Sequence, residues 1–401
     1  MRTLKRTRPP LSSPRLLDFD AGMDIDETIA RSREIVEDPE FPTVARWRER
    51  GGKVVGHFQV YFPEELAHAA GALPVKFRGA QVERREADSR FGSYLCSILR
   101  TSLELALTGA LEVDLFYTHP ICDAARNLAG IWGRNVSTAP ARILYLPQNP
   151  NSGGTIEWLR GEYATVLETI AEVTGQRVKE ADLRRSIGVY NRNRELLREL
   201  YSIKRETPWL LSVDEAYVLV ALGSVICREE HNRLLAWTIP QIRARKGRRR
   251  QDKIRVVFEG GFCEQPPLDL LRAIGQFCYV VDDDLLIGLR WIEQDVPRHG
   301  DPLWNLAESY VERSSYSPVQ HDLRKPKEKM LLERIRRARA EAAIVAAAKM
   351  CEPGLDEQVA YAKSLDIEAI PYFITEFEER MTSFDHLQIQ LETFAENLMF
   401  A

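Results

Sequence analysis

The fold is decided by an apolar stretch that ends in a cysteine, AAIVAAAKMCEPG at residues 342–354. Its first part has the length and composition of a buried strand, and the Glu-Pro-Gly turn after Cys351 leads into a segment with helical spacing. This pattern predicts a β-α unit of a parallel sheet, with Cys351 in the loop at the carboxyl end of the strand. In open α/β sheets this edge is where ligands bind.

The same layout occurs earlier in the chain, in VDLFYTHPIC at residues 113–122. Cys122 follows a short apolar run and precedes a segment that can open a helix. A third cysteine, Cys96, lies at the start of an amphipathic helix predicted over residues 94–108. Two cysteines therefore hold the same position in two β-α units, and a third stands at a helix start.

Apolar runs and helical segments alternate along most of the 401-residue chain, which predicts an α/β fold with parallel sheets. Strands are predicted at residues 51–61, 73–77, 113–118, 141–146, 254–258, 277–281, 342–348 and 370–374. Between the two groups of strands, the segments 155–174, 179–207 and 213–241 have helical spacing with few strand signals.

A chain of this length is too long for one core. We expect a loose N-terminal tail at residues 1–42 and a first α/β domain at 43–152 with Cys96 and Cys122. A helical region with a basic linker follows at 153–252, and a second α/β domain with Cys351 occupies 253–401.

Composition and charge exclude several classes of protein. The formal net charge of −4 argues against general nucleic-acid binding, and no apolar run is long enough to span a membrane. The basic first residues are not followed by an apolar segment, so they do not form a secretory signal. We expect a cytoplasmic protein. The P-loop pattern G-x-x-x-x-G-K-[ST] and the dinucleotide fingerprint G-x-G-x-x-G are both absent from the sequence.

The six cysteines fit a reducing compartment, and no pair has C-x-x-C spacing. Thiolates are soft ligands that suit iron–sulfur clusters and zinc, and three protein ligands leave one metal position open. Cys96, Cys122 and Cys351 could form such a set, or each could be an ordinary buried cysteine. Cys227 and Cys278 lie in apolar segments that predict core positions. Cys263 follows two glycines and is interpreted as packing, with a ligand role as the alternative.

Other polar groups have weaker functional signals. His57 and His119 lie near strand ends and could reach a site, although a lone histidine is more often structural. The triplet Asp282-Asp283-Asp284 could hold magnesium, but loop capping and solvated charge are favoured. The basic run at residues 243–253 is interpreted as a solvated linker, with a patch that binds an anionic ligand or nucleic acid as the alternative.

Four segments resemble the 2-hydroxyacyl-CoA dehydratase / benzoyl-CoA reductase family, over a likeness that runs from about Trp47 to the end. They are PEELAHAAGALP at 63–74, YLC at 94–96, CDAARNLAG at 122–130 and KMCEP at 349–353. Further segments resemble the C subunit of the ATP-dependent (class I) benzoyl-CoA reductases. These are FEGGFCEQPP at 258–267, VVDDD at 280–284, SSYSPVQHD at 314–322 and SFDH at 383–386.

The resemblance implies one [4Fe-4S] cluster bound by Cys96, Cys122 and Cys351, in a fold of two parallel-sheet α/β domains with helical parts. It also implies a homologous second catalytic subunit and ATPase electron-activating subunits with their own cluster. Ferredoxin would be the upstream electron donor, and the substrate would be an aryl-CoA thioester. The catalytic residues, including the proton donor, are not identified by the resemblance.

Three functions remain open from the sequence. The first is reductive dearomatisation of an aryl-CoA ring to a cyclic dienoyl-CoA by low-potential electrons, an oxidoreductase activity of anaerobic aromatic degradation. The second is radical dehydration of a 2-hydroxyacyl-CoA. The third is a non-catalytic role, as a cluster-bearing scaffold or a CoA-binding partner.

Overall fold

A computed structural model describes residues 17, 22–58, 62–92, 94–260, 264–285, 292–315 and 322–400. The strands are β1 (Val54–Phe58), β2 (Leu73–Phe77), β3 (Leu115–Thr118), β4 (Ala141–Ile143), β5 (Ile254–Glu259), β6 (Cys278–Asp283), β7 (Ala342–Ala348) and β8 (Tyr372–Phe377). The helices are α1 (Ile25–Glu37), α2 (Pro42–Glu49), α3 (Glu64–Ala69), α4 (Arg85–Asp88), α5 (Ser97–Thr108), α6 (Asp123–Asn135), α7 (Thr155–Thr174), α8 (Glu180–Glu206), α9 (Val213–Leu222), α10 (Arg228–Arg243), α11 (Leu268–Phe277), α12 (Pro302–Arg313), α13 (Lys327–Ala338), α14 (Glu352–Ile367) and α15 (Asp385–Met399).

The strands form two four-stranded parallel sheets, so the predicted α/β class with two parallel sheets is confirmed. The first sheet has the order β2-β1-β3-β4 and the second has the order β6-β5-β7-β8. The two sheets therefore share one topology. In each sheet the chain changes direction between the first and third strands, and crevices at such switch points are where open α/β sheets bind ligands.

Strand β7 shows why the second sheet lies between helices. All seven of its residues are buried, and they are apolar on both faces, as expected for a parallel strand covered on two sides. Val345 packs with α13 and α14 in a small core on one face. Ile344 and Ala346 belong to the main core, which also contains residues of the first sheet.

The helical region between the sheets begins with α7 and α8, close to the predicted bounds. The single helix predicted at residues 213–241 is wrong, because α9 ends at Leu222 and α10 begins at Arg228. Tertiary hydrogen bonds hold the intervening turn. The carbonyl of Ser224 accepts from the Lys76 backbone N–H at 3.3 Å, and the carbonyl of Val225 accepts from the Thr43 hydroxyl at 2.8 Å.

Part of the stretch expected to be a loose tail is helical. Helix α1 starts with a capping box, in which Asp24 accepts from backbone N–H groups of the first turn and Glu27 accepts from the Asp24 N–H. Its apolar side, with Ile29, Ile35 and Val36, is buried, and the helix contacts α9.

The basic run is not a uniformly solvated linker. The side chain of Arg245 is 4% exposed and pairs with Glu215 at 3.0 Å and with Asp26 at 2.6 Å. Arg248 also pairs with Glu215, at 2.5 Å. The first part of the run therefore ties α9 and α1 to the end of α10.

Within the described ranges, none of the helices has the combination of length and apolar character needed to cross a bilayer.

Candidate functional site

Each of the three cysteines singled out by the sequence is the N-cap residue of a helix. Cys96 caps α5, Cys122 caps α6 and Cys351 caps α14. Cys122 and Cys351 follow β3 and β7, the third strands of their sheets, so they hold equivalent positions at the two switch points. Helix N-termini present backbone N–H groups and positive dipole ends, both of which favour a thiolate over a thiol.

Backbone N–H groups of the first helical turns influence all three thiols, and one of them forms a hydrogen bond to Cys122. The N–H of Ala125 donates to the Cys122 sulfur at 3.4 Å. The backbone N–H groups of Leu99 and Gly354 act on Cys96 and Cys351, and each favours the charged form of its thiol. These donors belong to the first helical turns, where the N–H groups have no partner within the helix.

The backbone ahead of Cys351 has an unusual conformation. Met350 has φ of 61°, in the left-handed region that residues other than glycine seldom occupy, and 58% of the residue is exposed. The turn is closed by a hydrogen bond from the Cys351 N–H to the Ala348 carbonyl at 3.1 Å. It directs Cys351 back towards the protein, where only 8% of the residue is exposed. Left-handed residues of this kind cluster at functional sites.

The three thiols lie within electrostatic range of one another. Burial is the main cause that raises the pKa of Cys96 well above its usual value, and the charges of Cys351, Glu264 and Cys122 raise it further. Burial raises the pKa of Cys351 to about 12, to which Glu264 and Cys122 again contribute. Burial also raises the pKa of Cys122. The structure thus brings together side chains from both halves of the chain.

The raised pKa values decide which chemistry the bare thiols can perform. A thiol with a pKa far above 7 is protonated at neutral pH and is a weak nucleophile. The site therefore does not have the electrostatics of a cysteine-nucleophile enzyme. Binding of a metal would have to displace the protons, because thiolates are the ligands.

Two buried carboxyl groups, Glu264 and Glu379, lie beside this site. The Glu264 carboxyl accepts from the Ile98 N–H at 3.2 Å and from the Glu379 N–H at 3.0 Å. The Glu379 carboxyl accepts from the Thr101 hydroxyl at 2.6 Å. Both glutamates come from loops after strands of the second sheet, whereas Ile98 and Thr101 belong to α5. The glutamate pair therefore joins the facing carboxyl edges of the two sheets.

Both carboxyl groups hold their protons more tightly than ordinary glutamates, because their pKa values are raised. Burial and the nearby charge of Glu379 raise the pKa of Glu264 well above its usual value. Burial raises the pKa of Glu379 to about 7, against the lowering effects of Thr101, Arg84 and Arg100. Neighbouring carboxylates in a buried site cannot both ionise easily, so the pair retains protons near neutral pH.

The other sequence candidates have structural partners. His57 lies 3.2 Å from the Glu64 carboxyl and stacks on Phe62. His119 is fully buried, and its ring nitrogen lies 3.3 Å from the Leu144 carbonyl. Burial, with a smaller effect of His57, lowers the pKa of His119 to about 3, so this ring is neutral.

The three aspartates are buried, so the solvated-charge part of the favoured interpretation is wrong. The loop-capping part is confirmed, because Asp284 accepts from the Gly260 N–H at 2.9 Å and Asp283 accepts from the Leu285 N–H at 3.1 Å. Asp283 accepts from the Tyr201 hydroxyl at 2.6 Å and pairs with Lys204, and Asp282 pairs with Arg205 and Arg337 at 3.4 and 3.3 Å. Across the described parts of the chain, no group of three His, Cys, Asp or Glu side chains has the geometry to hold a metal ion.

The remaining cysteines differ in position. Cys278 is the first residue of β6 and is 2% exposed, and Cys227 caps α10 and is 5% exposed, so both core predictions are confirmed. Cys263 lies outside the described residues. Sequence reasoning missed Glu264 and Glu379 altogether, because single glutamates in loops carry no spacing signal.

The fold and the site define a class of protein in which two parallel α/β units of equal topology bring three cysteine thiols together at their facing carboxyl edges. The chain belongs to the family described as 2-hydroxyglutaryl-CoA dehydratase, D-component, whose sequence profile matches residues 59–398.

Similar proteins in this family are subunits of enzymes. The C subunit of benzoyl-CoA reductase from Thauera aromatica is 32% identical over 386 residues, covering 94% of this chain and 99% of that protein. The beta subunit of lactoyl-CoA dehydratase from Anaerotignum propionicum is 27% identical, with coverage of 93% and 99%. The beta subunit of (R)-2-hydroxyglutaryl-CoA dehydratase from Acidaminococcus fermentans is 24% identical, with coverage of 88% and 95%. The sequence resemblance to this family is confirmed.

Proposed function

We propose that this chain is the iron–sulfur subunit of an ATP-dependent aryl-CoA reductase, with benzoyl-CoA as the representative substrate. The reaction adds two electrons and two protons to the aromatic ring and gives a cyclic dienoyl-CoA. The observation that carries the proposal is the convergence of Cys96, Cys122 and Cys351 from separate segments of the two α/β units. The identity of 32% with a benzoyl-CoA reductase subunit, against 24–27% with the dehydratase subunits, favours the reductase.

We propose that the thiol set would hold a [4Fe-4S] cluster rather than a single metal ion, as the resemblance to the family implies. Each cysteine of such a cluster binds a different iron, so its sulfurs stand further apart than the ligands of one ion. Cys96, Cys122 and Cys351 would hold three irons and leave the fourth open. When bound, the cluster would supply one-electron redox chemistry.

The chain's own residues would prepare this site in two ways. The helix N-termini at the three cysteines would stabilise thiolate charge in a buried position. Burial and the charge of Glu379 raise the pKa of Glu264, which would disfavour a further negative charge beside the thiolates. Partial burial of all three cysteines would also restrict access of bulk water.

The proposal includes partners, because a single subunit with one cluster cannot supply low-potential electrons to itself. We expect a homologous second catalytic subunit, ATPase subunits that carry their own cluster, and ferredoxin as the upstream donor, all in the cytoplasm. The relatives support the first expectation, since each is named as a subunit of an enzyme.

The second candidate is a subunit of a radical 2-hydroxyacyl-CoA dehydratase. It is favoured by the name of the family and by the dehydratase relatives. The same three thiols would serve both reactions, so the site alone does not separate them.

The experiment has two parts and uses the complex purified without oxygen. Serine replacements of Cys96, Cys122 and Cys351 are compared with Cys278→Ala as a matched control of a buried cysteine elsewhere. Each serine variant should lose most of its iron while its circular dichroism is retained, and the control should keep its iron. Unchanged iron in all three serine variants would refute the ligand set.

The second part measures turnover with ATP and a reductant. The reductase proposal predicts consumption of benzoyl-CoA and formation of a dienoyl-CoA. Turnover of a 2-hydroxyacyl-CoA alone would instead establish the dehydratase.

A further inference from the structure

A large basic pocket lies at the opposite edge of the second sheet, away from the cysteines. It has a volume of about 750 Å³, and the residues that line it include Lys253, Arg255, Tyr279 and Glu341 at the amino ends of β5, β6 and β7. Cys351 follows the other end of β7, a seven-residue strand that spans about 20 Å. The basic pocket is therefore separate from the thiol site.

The side chains that line the basic pocket are strongly cationic. Six of them are Arg or Lys and three are Asp or Glu. Two of the six, Arg205 and Arg337, already share the buried Asp282, and Arg337 also lies 3.5 Å from Glu293. A third, Lys253, donates to the Gly275 carbonyl at 2.7 Å. The other three cations of the basic pocket are Arg250, Arg255 and Arg339.

These three arginines have no carboxylate of the described residues within ion-pair distance, and they repel one another. Arg255 uses its side chain to hold the ends of two helices, donating to the carbonyls of Arg205 at 2.8 Å, Ala338 at 2.7 Å and Arg339 at 2.9 Å. Burial lowers the pKa of Arg255, and the charges of Arg250 and Arg339 lower it further against the effect of Glu341. A bound anion would relieve this repulsion.

Two aromatic side chains, Trp209 and Tyr279, also line the basic pocket. A volume of several hundred Å³ with convergent polar groups is typical of small-molecule sites. One guanidinium group can donate two parallel hydrogen bonds to a phosphate. The face of an aromatic side chain can stack on a nucleobase. The combination distinguishes this pocket from a patch that merely attracts ions.

We propose that the basic pocket binds a nucleoside polyphosphate, with the phosphates at Arg250, Arg255 and Arg339 and the base against Trp209 or Tyr279. The same chemistry is present in free nucleotides and in the nucleotide portion of coenzyme A. The end of the basic run at residues 243–253 would thereby bind an anionic ligand, which was the alternative to its interpretation as a linker.

Binding is measured by calorimetry on the full chain with ADP, coenzyme A, adenosine and pyrophosphate as separate probes. ADP or coenzyme A should bind saturably and at least about tenfold more tightly than adenosine or pyrophosphate, because phosphates and base contribute together. Tighter binding of ADP would identify a free nucleotide as the ligand, and tighter binding of coenzyme A would identify coenzyme A. Equal binding of pyrophosphate and ADP, or no saturable binding of either nucleotide, would overturn the proposal.

The variants are chosen to leave the fold intact. Arg339 has φ of 51°, so Arg339→Gly removes the charge at a position where glycine is favoured, and Arg250→Gln changes an exposed side chain. Each should weaken binding by about tenfold. Arg249→Gln, an exposed neighbour outside the pocket, is the matched control and should leave binding unchanged. Equal effects of the Arg249 and Arg250 changes would show nonspecific charge attraction and refute the site.

Binding should also persist in Cys351→Ser. This result separates the pocket from the proposed cluster, so either proposal can fail without the other.

Discussion

Replacing Gly79 with alanine should displace the buried Glu379 carboxyl from its place between the two sheets. Gly79 has φ of +95°, and a Cβ atom at this position would lie 1.7 Å from Glu379 Oε1. Real Cβ contacts are essentially never shorter than 3.0 Å, so the carboxyl has to move by more than 1 Å. That movement breaks the hydrogen bond from the Thr101 hydroxyl.

The expected cost has two parts. A residue that carries a side chain costs about 1–2 kcal/mol in the left-handed backbone conformation that Gly79 adopts. Displacement of a buried carboxyl from its hydrogen-bond partner costs about 1–3 kcal/mol more. The free energy of unfolding should therefore fall by about 2–5 kcal/mol.

Urea denaturation at pH 7 measures this change, with Gly71→Ala as the matched control. Gly71 has φ of +72°, but nothing lies within 4 Å of the point that a Cβ atom would occupy there, so its replacement reports the backbone cost alone. A double variant that combines Gly79→Ala with Glu379→Ala isolates the contact further. When Glu379 is already alanine, Gly79→Ala should lower the free energy of unfolding by only as much as Gly71→Ala does.

The reasoning would be refuted by either of two results. One is an equal loss of stability in Gly79→Ala and Gly71→Ala. The other is a cost of Gly79→Ala that is unchanged when Glu379 has already been removed.

Two further predictions concern the buried carboxyl and the core cysteines. Because the pKa of Glu379 is raised from 4.5 to about 7 in the folded state, its contribution to stability is complete below pH 4.5 and is lost as the pH rises through about 7. The loss of stability should reach about 3 kcal/mol. In urea titrations between pH 5 and 8, Glu379→Gln should make the free energy of unfolding depend less on pH. An unchanged pH dependence would contradict the raised pKa of Glu379. Cys227→Ala and Cys278→Ala should each cost about 1–3 kcal/mol through lost packing, with iron content unchanged, and loss of iron from either folded variant would show that the ligand set is wrong.

Local sequence patterns were sufficient to predict the strand-end cysteines. The apolar runs before Cys122 and Cys351 are long enough for one buried strand, and the turns that follow end them. The helix start at Cys96 was also readable from amphipathic spacing. These features depend on interactions between residues that are close in the sequence, so local sequence patterns are enough to predict them.

The convergence of the three thiols could not be derived from spacing, since it depends on how two separately built sheets dock. The family resemblance supplied that expectation. The Glu264 and Glu379 pair was missed for the same physical reason, because its partners Ile98 and Thr101 are distant in sequence. The break between α9 and α10 was missed because, besides its local hydrogen bonds, the turn is held by β2 and α2, which are distant in the sequence.

Helix α1 is a different case, because its signal was present in the sequence. Asp24 and Glu27 have the spacing of a capping box, but the basic, proline-containing residues before them favoured the interpretation of a loose tail.

The equal topology of the two sheets has a consequence for the order in which the protein assembles. Each sheet draws its strands from one continuous part of the chain, residues 54–143 for the first and 254–377 for the second. Either sheet can therefore form from its own segment. The thiol set cannot, because Cys96 and Cys122 come from the first half and Cys351 comes from the second. The thiol set is therefore complete only after both halves have docked, and a motion that separates the halves would take it apart.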